Sequence, residues 1–141
     1  MKSKAKAVAF KITELQKGAY HPFIKVQIDG LKCNFLIDTG ASKSVIDKTF
    51  YEKKLRRKMK VIKQETTGLH STVNKSFEGV LKKLKIGSTS IKDYSISGID
   101  LSHVNNVYVK NKIDMIDGIL GSDILFDFGA VIDYKKSKLF I

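Results

Sequence analysis

Polar and apolar positions alternate most cleanly between residues 22 and 37. Ile24, Val26 and Ile28 alternate with Lys25 and Gln27; after Asp29-Gly30 the pattern resumes, Leu31, Cys33 and Phe35 alternating with Lys32 and Asn34. A period of two is the signature of a strand, and Asp-Gly between two such runs specifies a two-residue hairpin turn. The resulting register sets Ile28 opposite Leu31, Val26 opposite Cys33 and Ile24 opposite Phe35, so one face of the hairpin is apolar. Alternation stops at Leu36-Ile37, where both faces become interior just before Asp38.

The rest of the chain reads mostly as short strands. A weaker alternation over 5–15 predicts one strand. Ser44-Val45-Ile46 continues extended, and Asp47 can cap a short helix from Lys48 to Arg57, with lysines and arginines toward its end, where the helix dipole is negative. Residues 60–67 and Phe77 to Ile86 predict two strands around a polar tip, Gly68-Leu69-His70-Ser71-Thr72. Gly87-Ser88-Thr89-Ser90 is a turn, and Ile91 to Ile99 a returning strand. Residues 101–113 are ambiguous between loop and short helix. Ile116 to Leu120 reads as a buried strand, followed by a short helix from Ser122 to Phe128, capped by Ser122 and ended by Gly129. A last hairpin joins 131–134 to 139–141, leaving an apolar strand at the chain end as a bare edge that wants a partner.

Length and composition narrow this picture. The 141 residues are enough for a core without staples, and one domain is expected, with 1–19 as an N-terminal strand or extension. The single Cys33 excludes an internal disulfide and suits a reducing, cytoplasmic setting; as a small residue on the apolar face it reads as core. No run of 18 apolar residues offers a membrane span, and the basic N-terminus lacks the apolar core of a secretory signal. The net charge is +12, with seven Lys and Arg between Lys53 and Lys63. Such a cluster is a solvated face or a patch for an acidic partner; nucleic acid is not expected, because aromatic residues do not interleave with the charges. The histidines, 21, 70 and 103, are widely spaced and without Cys partners, so no metal site is expected.

Candidate chemistry concentrates at Ile37-Asp38-Thr39-Gly40-Ala41-Ser42, a lone acid at the end of a buried strand, with a hydroxyl and a glycine directly after it. Burial makes a carboxylate costly to ionise and so marks it for proton chemistry. These residues resemble the active-site turn of the retroviral-type (retropepsin-like) aspartic proteases and their bacterial single-domain relatives. Asp117-Gly118-Ile119-Leu120-Gly121-Ser122-Asp123-Ile124-Leu125 resembles that family's later apolar strand, glycine and short helix, and with the flanking hairpins the likeness covers roughly 20–141.

The resemblance implies an all-β, small closed barrel-like fold with one or two short helices. It implies an aspartic endopeptidase acting on peptide or protein substrates without metal or organic cofactor. Asp38 matches the catalytic acid, Thr39 the threonine that locks two turns together, Gly40 the glycine beside the substrate, and Ala41 the viral-type variant. The tip Gly68, Leu69, His70 takes the position of the mobile flap. Aspartic-protease chemistry needs two facing carboxylates, yet no second Asp-hydroxyl-Gly exists here. Asp117-Gly118-Ile119, Asp123-Ile124-Leu125 and Asp127-Phe128-Gly129 all lack that order. One chain therefore carries half a site, and a homodimer would complete it. The other expectation is a non-catalytic binding module on the same fold, holding a partner through its groove or through the basic 53–63 surface.

Overall fold

The computed structural model describes residues 5–65 and 73–141. In chain order the elements are β1 (Ala7–Ala9), β2 (Lys11–Gln16), β3 (Ala19–Ile28), β4 (Leu31–Ile37), β5 (Val45–Asp47), α1 (Lys48–Lys54), β6 (Lys60–Glu65), β7 (Val73–Ile86), β8 (Thr89–Ile99), α2 (Ser102–Lys110), β9 (Gly118–Leu120), α3 (Ser122–Asp127), β10 (Val131–Asp133) and β11 (Lys138–Phe140). The flap-tip residues Gly68, Leu69 and His70 lie outside the described residues.

The hairpin read from alternation forms in its expected register, with Ile24 opposite Phe35, Val26 opposite Cys33 and Ile28 opposite Leu31. Asp29 and Gly30 both take positive φ, 50° and 86°, as the two central residues of this turn type must. Asn34 departs from the pattern: it is buried, because the segment before β9 covers its side of the strand. Its side-chain amide donates to the Met115 carbonyl at 3.0 Å, and its backbone N–H donates to Asp117 Oδ2 at 2.9 Å.

The strands β3, β4, β9, β5, β8 and β7 close into a six-stranded barrel, because β7 returns to pair with β3 at Gln27–Lys85 and Ile28–Leu84. One edge of β3 thus serves two partners: its first half holds β2 and its last two residues hold β7. The β6–β7 ribbon extends from the barrel, pairing from Lys60–Glu78 to Glu65–Val73. Ile24, Ile28, Phe35, Ile46, Leu81, Leu84, Ile86 and Leu120 fill the interior. A smaller cluster of Phe23, Leu101, Tyr108 and Ile116 packs α2 against the barrel.

Several boundaries differ from the sequence reading. The expected strand over 5–15 divides into β1 and β2, which join different sheets. The helix α1 stops at Lys54 rather than Arg57, because Arg56 turns into the left-handed region at φ 55° and Arg57 leaves to pair with Asp29 in the hairpin turn. Its capping by Asp47 is as expected, with Oδ2 accepting from Phe50 N at 3.2 Å. Among the described residues three helices form where one or two were expected, α2 arising in the ambiguous stretch. Its buried Asn105 carries out a task that sequence does not advertise, accepting from Ile116 N at 2.8 Å and donating to Ile116 O at 3.0 Å.

The terminal strand is not a bare edge. β11 lies between β1 and β10 in a three-stranded sheet, and Lys6 and Ile141 exchange backbone hydrogen bonds of 3.0 and 3.1 Å. The free edges of that sheet are β1 and β10. No helix among the described residues is long and apolar enough to cross a membrane.

Cys33 is buried on the apolar face; its thiol donates to the Leu31 carbonyl, and burial, with Asp117 nearby, pushes it up to about 12. Since the thiolate is the reactive form, the native protein should resist a disulfide-exchange thiol reagent at pH 8 and react at once in denaturant. Absorbance of the released thiolate, read with and without guanidinium, checks this.

Candidate functional site

Asp38 leaves the end of β4 while its backbone still continues the sheet, its N–H donating to the Leu120 carbonyl at 3.0 Å. The chain then turns sharply. Ala41 N donates back to the Asp38 carbonyl at 3.1 Å, and Gly40 N donates to Asp38 Oδ1 at 2.9 Å. A side chain at 40 would begin 3.2 Å from that same oxygen, so the glycine keeps the carboxylate face open. The result is a half-buried acid on a turn whose Thr39, Gly40 and Ser42 are exposed. Among the described residues, the hydrogen bonds to the Asp38 carboxylate come from Gly40 alone.

Two of the other candidate acids are occupied elsewhere, while Asp127 is exposed. Asp117 is held above the ordinary carboxyl range by burial, although the Asn34 N–H donates to it. In Asp123, Oδ1 accepts from Ser44 N at 2.9 Å and Ser44 Oγ at 2.7 Å, while the Tyr94 hydroxyl donates to Oδ2. Burial works against its ionisation, but the bonds from Tyr94 and Ser44 outweigh that and hold Asp123 below the ordinary range. Tyr94 is pushed up correspondingly, by burial first and then by Asp123.

The segment after β9 lies directly under the Asp38 turn. Ser122 N donates to the Ala41 carbonyl at 2.8 Å, Ser122 Oγ to the Thr39 carbonyl at 2.7 Å, and Gly121 N to Ser44 Oγ at 2.8 Å. Ser122 therefore does not cap α3, as its sequence position suggests; Gly121 holds the cap position and the hydroxyl is spent on the turn. Gly129, at φ 56°, follows α3 as expected of a helix-ending glycine.

Sequence reasoning named Asp38, Thr39, Gly40 and Ala41, and the structure brings these together. It gave no site role to Ser44, Tyr94, Ser122 or Asp123; the last two carried a signal as the small and acidic residues after the apolar strand, while Ser44 and Tyr94 carried none. It also missed Tyr108, whose hydroxyl is pushed up by burial and by the charge of Asp38, and which hydrogen-bonds His21 Nδ1 at 3.0 Å.

An open depression of about 500 Å³ adjoins the turn, lined by Thr39, Gly40, Ser42, Ser122, Asp123, Phe126 and Asp127. A more enclosed hollow of about 450 Å³, between β2, β3 and the end of α2, includes Phe10, Phe23 and Ile113 but none of the Asp38 turn. The first is the relevant one, because the exposed acid turn forms part of its wall.

Comparison with known proteins agrees with this geometry. A family model described as aspartyl protease matches residues 24–124. A retropepsin-like aspartic protease from Rickettsia conorii is similar in structure, with a TM-score of 0.57 and 22% identity over 96% of this chain and 89% of that one. The retroviral protease-like domain of Ddi1 from Leishmania major is similar with a TM-score of 0.55 and 20% identity, over 84% and 86%. Curated proteins give no match. The fold is thus retropepsin-like.

A Cβ at Gly121 would sit 2.8 Å from the Ala41 carbonyl oxygen and 2.8–2.9 Å from Lys43 backbone atoms, which have no flexible end to move aside. Gly121→Ala should cost about 1–3 kcal/mol of unfolding free energy, measured by denaturant titration.

Proposed function

Because the chain belongs to the aspartyl protease family, whose model its residues 24–124 match, we propose that it is an endopeptidase acting as a homodimer, with one Asp38 carboxylate from each copy flanking the attacking water. The observation that carries this is the placement of Asp38, a half-buried acid preset by Gly40 N–H on a turn otherwise open to solvent. A two-fold axis beside that turn supplies the missing carboxylate with no further residue.

Two carboxylates across one water cannot both ionise easily, so the pair retains a shared proton. The ionised member takes a proton from the water, the water attacks the peptide carbonyl, and the protonated member donates to the substrate. The pair then titrates as a unit. Thr39, exposed at the turn, would lock the two turns together, while Gly40 and Ala41 would line the path of the peptide. The β6–β7 ribbon would carry the lid, with Gly68, Leu69 and His70 in it, and extended substrate would add as a strand.

The free edge of β10 and the exposed apolar side chains near it, Phe126, Phe128, Val131 and Tyr134, support contact with a second copy. Among them Phe126, at 85% exposure, lines the depression beside the turn.

Asp38→Asn should lower kcat by about 10²–10⁴-fold while leaving the dimer mass unchanged, and the wild-type pH profile should be bell-shaped. Peptide-library cleavage across pH, combined with light scattering, tests this. Equal, nonzero cleavage by both proteins would end the reading.

A further inference from the structure

Asp123 and Ser44 have no part in the chemistry just described, yet they sit at the far end of the turn that carries Asp38. Residues 120–123 touch that turn at successive points: Leu120 O receives Asp38 N, Ser122 Oγ reaches the Thr39 carbonyl, Ser122 N the Ala41 carbonyl, and Gly121 N the Ser44 hydroxyl. The last contact is set by Asp123. Because Ser44 Oγ accepts from Gly121 N, its own proton must point elsewhere, and Asp123 Oδ1 lies 2.7 Å away to receive it. The Ser44 N–H reaches the same oxygen at 2.9 Å. Oδ2 takes the hydroxyl proton of Tyr94, which stands on β8.

Ser44 N–H, Ser44 O–H and Tyr94 O–H all donate to this carboxylate, which has the acceptor capacity to receive them together. Among the described residues no cation pairs with it. The chain Gly121 N–H to Ser44 O–H to carboxylate runs in one direction, and bonds in such a series strengthen one another.

We propose that Asp123 is a positioning residue: by fixing Ser44 it holds the end of the Asp38–Ser44 turn, and through Tyr94 it ties that turn to β8, the strand paired with β5. This rests on the protease reading, since what it positions is the Asp38 carboxylate. A residue that acts this way affects the alignment of the dyad in the transition state more than the grip on the peptide. Displacements of about an ångström in a catalytic group can cost about 10²-fold in rate.

The test uses the full chain with Asp123→Ala, Asp123→Asn, Ser44→Ala and the Ser44→Ala/Asp123→Ala pair. Asp123→Ala should lower kcat about 10²-fold with KM changed by less than about threefold. Asp123→Asn should recover most of that loss, because its amide oxygen can accept from Ser44 and its amide N–H can donate to the Tyr94 oxygen. The double variant should be no worse than the more impaired single one, as members of one network behave. Amide exchange at Gly121 should accelerate at least about 10-fold in Asp123→Ala and Ser44→Ala, while Ile24 in the core stays protected.

A folded Asp123→Ala protein with wild-type kcat and unchanged Gly121 exchange overturns the proposal. If Asp123→Ala does not fold, Tyr94→Phe decides, since it removes one bond and leaves Ser44 in place: a drop in kcat at constant KM supports the assignment, and wild-type kcat refutes it. Absence of cleavage by the wild-type protein refutes the protease reading instead, and the Gly121 exchange then decides whether Asp123 holds the turn.

Discussion

The parallel pairing of β4 with β9 is the contact on which the rest of the structure depends. Phe35, Leu36 and Ile37 lie beside Gly118, Ile119 and Leu120, and the ladder ends where Asp38 N meets the Leu120 carbonyl. These residues are some eighty positions apart along the chain, so their meeting has a large loop-closure cost that only burial recovers. Phe35 and Leu120, both in the core, provide that burial. Gly118 permits it: a Cβ there would lie 2.3 Å from the Phe35 ring. The same pairing inserts β9 between β4 and β5, without which the barrel does not close. Fold closure and the placement of the acid turn on its support are thus one event.

Four carboxylates tie distant segments of the chain together. Asp29 holds the first hairpin to β7 by accepting from Lys83 N at 2.8 Å and pairing with Arg57. Asp47 caps α1 and also accepts from Leu101 N at 3.1 Å, bridging to the start of α2. Asp117 secures Asn34 across the β4–β9 boundary. Asp123 gathers Ser44 and Tyr94. Each of these acids joins segments far apart in sequence, accepting from donors that would otherwise be left without partners in a partly buried setting. Asp38 differs, being restrained by Gly40 two residues away and by no distant side chain among the described residues. Its carboxylate is thus left at the surface of an exposed turn.

The three-stranded sheet of β1, β11 and β10 changes how the chain ends bear on assembly. β11 has both edges satisfied inside the chain, so it stabilises the fold: Leu139 is fully buried and Ile141 nearly so. The outer edge of β10 has no strand partner among the described residues, and the aromatic side chains of Phe126, Phe128 and Tyr134 around it are exposed. An unpaired strand edge beside apolar side chains is the kind of surface that proteins cover. The basic stretch is less uniform than its composition suggests, because Arg57 is committed to Asp29 and the Val80 carbonyl while Lys53, Lys54, Arg56, Lys58 and Lys60 stay exposed.

What the chain's own residues determined is local. The Asp29-Gly30 hairpin and its register, the cap at Asp47, the buried approach to Asp38 and the need for glycine at 40 all follow from neighbours a few positions apart, where alternation and turn chemistry act directly. Tertiary structure decided the rest. Asn34 reads as an outward-facing polar residue until a distant segment covers it, Ser122 reads as a helix cap until the Thr39 carbonyl comes within reach, and Asp123 reads as a failed copy of the first acid until Ser44 and Tyr94 close on it. The physical reason is the same in each case: a polar side chain takes the partner that burial leaves it, and burial is set by which strands pair across the barrel, a choice made by the summed apolar area of the whole chain.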